Sequence, residues 1–258
     1  QGLHGLGVVQ FIDESELIWW NGRPLVNGCF GVPKGDLASP DFDIKTCTLR
    51  FIVNLQPSND LQTVIKGDID RLPLFSQWLT LHLLEREMYV WSCDDQASAF
   101  SIYRLEEAWL PYFVLGEPAT AETLQALGLP ATRRWAAMRT IPMGWLSATG
   151  IMQHLAYRIT GEVRSRAGTA DDCAEFSRGT TASLGPERRV SDWHDAYLDD
   201  NLLAEKCEEQ EHEALVGTSA PFQLLLHEVT SEWGIPLTEH KCIRRAARAL
   251  ARGGILDG

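Results

Sequence analysis

The sequence predicts an α+β chain in which a small antiparallel sheet is backed by helices. Three observations carry that reading. Residues 46–55 alternate, with Cys47, Leu49, Phe51, Val53 and Leu55 on one face and Thr46, Thr48, Arg50, Ile52 and Asn54 on the other. That is the period of a half-buried strand. Ala196-Tyr197-Leu198 runs into Asp199-Asp200-Asn201, short acceptors that bond nearby backbone and favour a turn, so a β-hairpin carries two acids at its tip. Met152, Leu155, Ala156 and Ile159 form one helical stripe, and Phe222, Leu225, Leu226, Val229 and Trp233 form another. They place helices around 147–160 and 221–233.

Residues 1–30 are Gly-rich, and Gly2, Gly5 and Gly7 lack the strand and helix that a dinucleotide loop needs. Gly31-Val32-Pro33-Lys34-Gly35 lacks the Gly-Lys-Ser/Thr of a P-loop. Gln56-Pro57-Ser58-Asn59 ends the first strand. Leu74, Trp78, Leu81 and Leu84, with Pro73 at the start, predict a helix over 74–88. Tyr89-Val90-Trp91-Ser92-Cys93 is β-prone and delivers Asp94 and Asp95 to a strand end. Ala97-Ser98-Ala99-Phe100 then enters a helix or turn, where Asp95 could serve simply as an N-cap.

Pro111, Pro118 and Pro130 break up 104–140, which holds the basic cluster Arg133, Arg134 and Arg139. Pro142-Met143-Gly144-Trp145 is a turn, and Gly161 is expected to stop the helix that follows. Residues 161–192 show no period and read as a long exposed insertion. The five glutamates and one lysine of 205–213 read as a solvated helix face or loop. Pro221 opens the last helix and Gly234 caps it. Lys241 sits on a short extended piece. Arg244, Arg245, Arg248 and Arg252 lie near helical spacing, a candidate phosphate contact.

The chain has 258 residues, enough for one large domain or two small ones, and nine tryptophans imply large buried or cleft-lining surfaces. The six cysteines show no Cys-x-x-Cys spacing, which predicts reduced structural thiols in an intracellular protein and no zinc site. No apolar run approaches the ~20 residues that span a bilayer. The chain begins at Gln1 without a signal peptide, and reads as a piece of something longer. A net charge of −12 counts against a large nucleic-acid surface on this chain alone.

Paired acids at a hairpin tip suit Mg²⁺, which prefers hard oxygen ligands. The plain alternative is an exposed acidic turn. Metal-dependent phosphoryl transfer uses two cations about 3.5–4 Å apart, held by carboxylates from different elements. If the strand ending at Asp95 neighbours the hairpin of Asp199 and Asp200, three carboxylates converge.

These motifs resemble the fingers and palm of a reverse transcriptase from a retrovirus-like element. Asp95-Gln96-Ala97-Ser98-Ala99-Phe100 resembles the first palm motif, and Pro142-Met143-Gly144-Trp145 the Pro-Gln-Gly-Trp segment before the template-gripping helix. Tyr197-Leu198-Asp199-Asp200 resembles the Tyr-x-Asp-Asp box. Leu49 to Leu55 with Asn59 resembles the fingers strand, and Gly234 to Lys241 the last palm motif. The resemblance runs from about residue 28 to 254.

It implies a right-hand polymerase fold across 1–258, with fingers at about 1–86 and 104–140 and palm at about 87–103 and 141–245. It implies RNA-directed DNA synthesis. Asp95 and Asp199 would hold two Mg²⁺ ions, or Mn²⁺ as a substitute, with Asp200 in support. Lys241 would be the proton donor to pyrophosphate. Arg50, helped by Lys34, would clamp the β- and γ-phosphates. Ser98, Ala99, Phe100, Met143 and Gly144 would line the nucleotide, with Phe100 excluding a 2′-hydroxyl. The implied partners are an RNA or DNA template with primer and dNTPs, with further polyprotein domains encoded elsewhere and no membrane.

The sequence departs from the family in three ways. Met143 stands where retroviral members often have Gln, 161–192 is long for its position, and the thumb is expected to be largely absent. The competing readings are a non-catalytic domesticated palm that only binds, a cyclase-like palm transferase, and an α/β domain with scattered acids. The cyclase class expects a Gly-Gly-Asp/Glu-Glu-Phe hairpin, which the sequence lacks.

Overall fold

The computed structural model describes residues 2–33, 47–168, 173–180 and 192–257. Lys34 and the sequence from 181 to 191 lie outside these. The chain divides into two compact units, Gln1–Ile65 with Phe100–Ala148, and Lys66–Ala99 with Thr149–Gly258. Both mix helices with small sheets that are almost wholly antiparallel.

In chain order the elements begin with α1 (Gly2–Gly5), β1 (Val9–Ile12), β2 (Trp19–Trp20), β3 (Arg23–Pro24), β4 (Gly28–Pro33), β5 (Leu49–Asn54) and α2 (Gln56–Asn59). Next come β6 (Glu87–Asp95), α3 (Ala99–Ile102), α4 (Ala121–Leu127), β7 (Trp135–Met138), α5 (Ala148–Ala167), β8 (Cys173–Phe176), β9 (Asp192–Tyr197) and β10 (Asp200–Glu208). The chain ends with α6 (Glu209–Leu215), α7 (Pro221–Glu232), β11 (Ile243–Ala246), β12 (Arg248–Ala251) and β13 (Gly254–Asp257).

In the first unit β1 pairs with β7 and β4 with β5. Its core gathers Ile12, Leu17, Leu110, Val114 and Ala137. Asn59 clasps the turn before α5: its Nδ2 donates to Gly144 O at 3.0 Å and its Oδ1 accepts from Leu146 N at 3.1 Å.

The second unit is organised by a five-stranded sheet in the order β11-β6-β10-β9-β8. All its pairings are antiparallel except β8 with β9. Strand side chains alternate between faces, and the register separates two environments. On one face Tyr89, Trp91, Leu202, Ala204, Trp193 and Phe176 pack with Trp78 and with Ala249, Ala251 and Leu256 of the β12–β13 hairpin. The other face meets helices: Ala196 packs on Ala156 and Tyr157 of α5, and Leu203 on Ala220 and Phe222 at the start of α7.

The strand expected over 46–55 is β5, but its apolar face is uneven. Val53 and Leu55 are buried, whereas Leu49 is 56% exposed. The helix expected over 74–88 does not form; Phe75–Thr80 is a 3₁₀ segment followed by irregular chain. Of that stripe Trp78 is buried in the core and Leu81 packs partly buried against it, while Leu74 and Leu84 stay exposed. Gly161 does not end α5. A glycine inside a helix costs only about 1 kcal/mol against Ala, and the buried stripe continues through Ile159 to Val163.

The expectation of an exposed insertion over 161–192 is also corrected on the described residues. Cys173–Phe176 is the edge strand β8, with Cys173 and Phe176 buried. The arginines near helical spacing lie instead on β11, on β12 and in the β12–β13 turn. Lys241 ends a 3₁₀ turn, Glu239–Lys241.

Candidate active site

Asp95 ends β6 and Asp200 begins β10, and the two are direct partners across that pair. Asp199 lies in the two-residue turn between β9 and β10, where Tyr197 pairs with Asp200. Leu198 takes φ 57 there, a left-handed conformation that costs a non-glycine residue energy and must be held in place. The fully buried Gln153 of α5 supplies the hold. Its Nε2 donates to Ala196 O at 2.6 Å and its Oε1 accepts from Leu198 N at 2.9 Å. Gln96 N also donates to Asp199 O at 2.9 Å, joining the exit of β6 to the hairpin tip.

Lys241 reaches the same strand end. Its Nζ donates to Asp95 Oδ1 at 2.7 Å, and Thr238 N donates to Asp95 O at 2.8 Å. The hydrogen bond to Asp95 raises the lysine pKa, and burial opposes that rise. Burial raises the Asp199 pKa, and the neighbouring Asp95 adds to the rise. Asp200 is pushed up to about 6, first by burial and then by repulsion from Asp199. The cluster therefore carries more negative charge than Lys241 and Arg252 neutralise, the electrostatic condition for attracting a cation. Its donors are all hard carboxylate oxygens, which suits Mg²⁺.

The three carboxylates do not draw together by themselves. Among the described residues, the group of three metal-ligand side chains with all ligand atoms within 4.8 Å is Asp94, His227 and Cys242, and not Asp95, Asp199 and Asp200. Like charges repel, and Asp95 turns one oxygen to Lys241.

The underside of the hairpin holds residues that no motif announced. The buried carboxylate of Asp195 binds Arg252 from the β12–β13 turn, with Nη1 to Oδ2 at 2.7 Å and a second bond from Nη2 to Oδ1. Trp78 Nε1 donates to Asp195 Oδ2 at 2.8 Å. The Arg252 guanidinium carbon lies 4.9 Å from the Tyr197 ring centroid. Burial pushes the Asp195 pKa up and Arg252 pulls it down. Arg245 forks onto Glu205, with Nε to Oε2 at 2.8 Å and Nη2 to Oε1 at 2.6 Å. Two of the four arginines offered as phosphate contacts are thus engaged with acids inside the unit. Sequence spacing carries no signal for these pairs, since Asp195–Arg252 and Glu205–Arg245 are tertiary.

Of the other candidates, Ser98 is exposed with φ 54, Ala99 is buried and Phe100 is half-buried. Arg50, Met143 and Gly144 belong to the first unit. Arg50 is exposed on β5 opposite Val32. Met143 is 46% exposed. Gly144 takes φ +98, and an added Cβ would stand 3.4 Å from Val53 O, so the turn favours glycine there. None of the six cysteines is in a disulfide. No helix among the described residues is long and apolar enough to cross a membrane.

No protein-family model matches the sequence, and no curated protein matches it. A solved structure does match in fold: the foamy viral protease-reverse transcriptase dRH in complex with ds DNA, at a TM-score of 0.57 and 12% identity. The match covers 99% of this chain and 32% of that one, so the chain spans about a third of its structural neighbour. A likeness at that identity shows the fold.

Proposed function

We propose that the chain is the fingers and palm of an RNA-directed DNA polymerase, joining dNTPs to a primer on an RNA or DNA template. The observation that carries this reading is the cross-strand pair Asp95 and Asp200, with Asp199 beside it on a braced turn and Lys241 on Asp95. The foamy viral likeness supports the fold in which such a site belongs.

In this reading Asp95, Asp199 and Asp200 hold the metal. Bound there, two Mg²⁺ ions, or Mn²⁺ in their place, would activate the primer 3′-hydroxyl and neutralise charge on the α-phosphate and leaving pyrophosphate. The chain's own residues do the rest. Lys241, which rests on Asp95 at 2.7 Å, would be the proton donor to pyrophosphate once Asp95 serves as a metal ligand. An ordinary lysine already carries that proton at neutral pH. Gln153 keeps Asp199 in place through the turn. Arg50 and Lys34 supply charge for the β- and γ-phosphates. Phe100, with Ser98 and Ala99, would take the sugar, a bulky ring there disfavouring a 2′-hydroxyl. Met143 and Gly144 would contribute to nucleotide binding, where Met can pack but not hydrogen-bond as Gln does. Template, primer and further polyprotein domains complete the working assembly.

The test is primer extension on an RNA template with dNTPs and Mg²⁺, beside the Asp199→Asn/Asp200→Asn double variant. Extension by the parent alone supports the reading. Folded parent protein that neither extends a primer nor gains thermal stability with dNTP and Mg²⁺ overturns it.

A further inference from the structure

On the helix side of the sheet, one residue from Asp95, three side chains from distant parts of the chain meet. Asp94 points away from Asp95 because neighbouring strand residues face opposite ways. It is 3% exposed. Its Oδ1 receives His227 Nε2 at 2.7 Å and Cys242 Sγ at 3.0 Å. All three ligand atoms lie within 4.8 Å of one another. We infer that Asp94, His227 and Cys242 form a Zn²⁺ site that is separate from the acids of the hairpin.

The chemistry of the set selects the metal. A thiolate and an imidazole with one carboxylate suit zinc and disfavour Mg²⁺, which takes oxygen ligands. Tetrahedral zinc bonds of about 2.0–2.3 Å set ligand atoms roughly 3.3–3.7 Å apart. The Asp94–His227 and Asp94–Cys242 spacings, 2.7 and 3.0 Å, need open by less than about 1 Å to admit the ion, and the histidine and cysteine ligand atoms already lie within 4.8 Å of each other. A water completes the four.

The surroundings are arranged as an outer shell. Gln223 lies one turn before His227 on α7, so both face β6. Its Nε2 donates to Asp94 Oδ2 at 3.0 Å and to Ile243 O at 2.9 Å. That leaves Asp94 Oδ1 for the metal and fixes the carboxylate's orientation, the usual work of a group behind a ligand. Entry of Zn²⁺ releases the Cys242 thiol proton and any second proton on His227 to solvent. The bound ion ties β6, α7 and the turn before β11 together, bracing from behind the strand end that carries Asp95 and the turn that carries Lys241. The absence of Cys-x-x-Cys in the sequence hid this set, because its members are 94, 227 and 242 in the chain.

Co²⁺ titration at neutral pH tests the site. The parent is expected to take up one Co²⁺ per chain with a thiolate-to-metal charge-transfer band, which one equivalent of Zn²⁺ abolishes. The band should be absent in Cys242→Ser, weakened in His227→Gln, and retained in Asp199→Asn/Asp200→Asn, with the tryptophan near-ultraviolet dichroism of each variant confirming a native core. No band in folded parent, or an equal band in folded Cys242→Ser, overturns the inference.

Discussion

Arg252 and Asp195 form a two-pronged ion pair beneath the acidic hairpin, joining the β12–β13 turn to β9. The carboxylate is 0% exposed. Removing one partner of a buried pair leaves an uncompensated charge and costs about 3–5 kcal/mol. Arg252→Ala is therefore expected to lower the unfolding free energy by that amount in denaturant melts. Arg252→Met combined with Asp195→Leu should cost distinctly less, because neither charge is stranded. Equal loss in the single and double variants would show that packing, and not charge, sets the cost.

Asp200 predicts a trade between stability and chemistry. Its pKa rises from 3.8 to about 6, so the folded chain holds that proton more tightly than the unfolded chain. Stability is then fullest below the ordinary carboxylate range and falls as pH rises from about 4 to about 6. Asp200→Asn should remove that fall. After allowance for solvent screening, the expected gain above pH ~6 is about 1 kcal/mol, or roughly 2–4 °C in melting temperature. Below pH ~4 the gain should vanish. Thermal melts across this range check it, and added Mg²⁺ should stabilise the parent more than the variant.

Gln153 predicts a loss that is local. Gln153→Ala strips a buried carbonyl at Ala196 and a strained N–H at Leu198 of their partner. A buried group left unsatisfied costs about 1–3 kcal/mol. Hydrogen exchange should quicken at Leu198 and Asp199 more than in the β6–β10 ladder, and primer extension should fall although every acid remains.

Lys241→Met keeps the aliphatic stem and removes the proton. If Lys241 is the general acid, single-nucleotide incorporation should slow by about 10²–10⁴-fold, with little change in dNTP affinity. A loss confined to affinity would instead assign Lys241 a binding role.

Gly67 predicts a purely steric failure. It takes φ +49, and an added Cβ would run into the Gly150 carbonyl. Gly67→Ala is expected to cost about 2–4 kcal/mol, read from its melting temperature.

What the sequence made legible was whatever short-range pattern enforces. The β-prone run Tyr89 to Cys93 lies in β6, and the acidic hairpin forms, although its turn is Leu198-Asp199 and Asp200-Asn201 already belong to β10. The stripe of α7 buries Leu226 and Val229 but leaves Trp233 exposed past the helix end. The misreadings have physical reasons. The 74–88 stripe has helical spacing but too little surface to bury it, so Trp78 is buried, Leu81 packs partly buried beside it, and Leu74 and Leu84 stay exposed. Cys173–Phe176 is four residues long, too short for a period to show, and gains its structure by lying parallel to β9. Arg245 and Arg252 suggested a helix by spacing, yet each is placed by an acid far away in the chain. Asp94 carries no motif of its own beside Asp95, although the strand alternation that sets Asp95 beside the hairpin aims Asp94 at α7.

The register of β6 against β10 has a consequence for how such a site is lost. Around the tip, sliding β10 by one residue would set Asn201 or Asp199 opposite Asp95, and both are small oxygen-bearing side chains. The tip is nearly degenerate and cannot choose its own alignment. The choice is made farther along, where Leu202 meets Cys93 and Ala204 meets Trp91, because a one-residue slip would turn each of these to the wrong face. The position of the charges is thus written in residues that carry none. Damage to those apolar pairs would leave every acid in the text of the sequence and still disarm the centre, an intact signature over a misaligned machine.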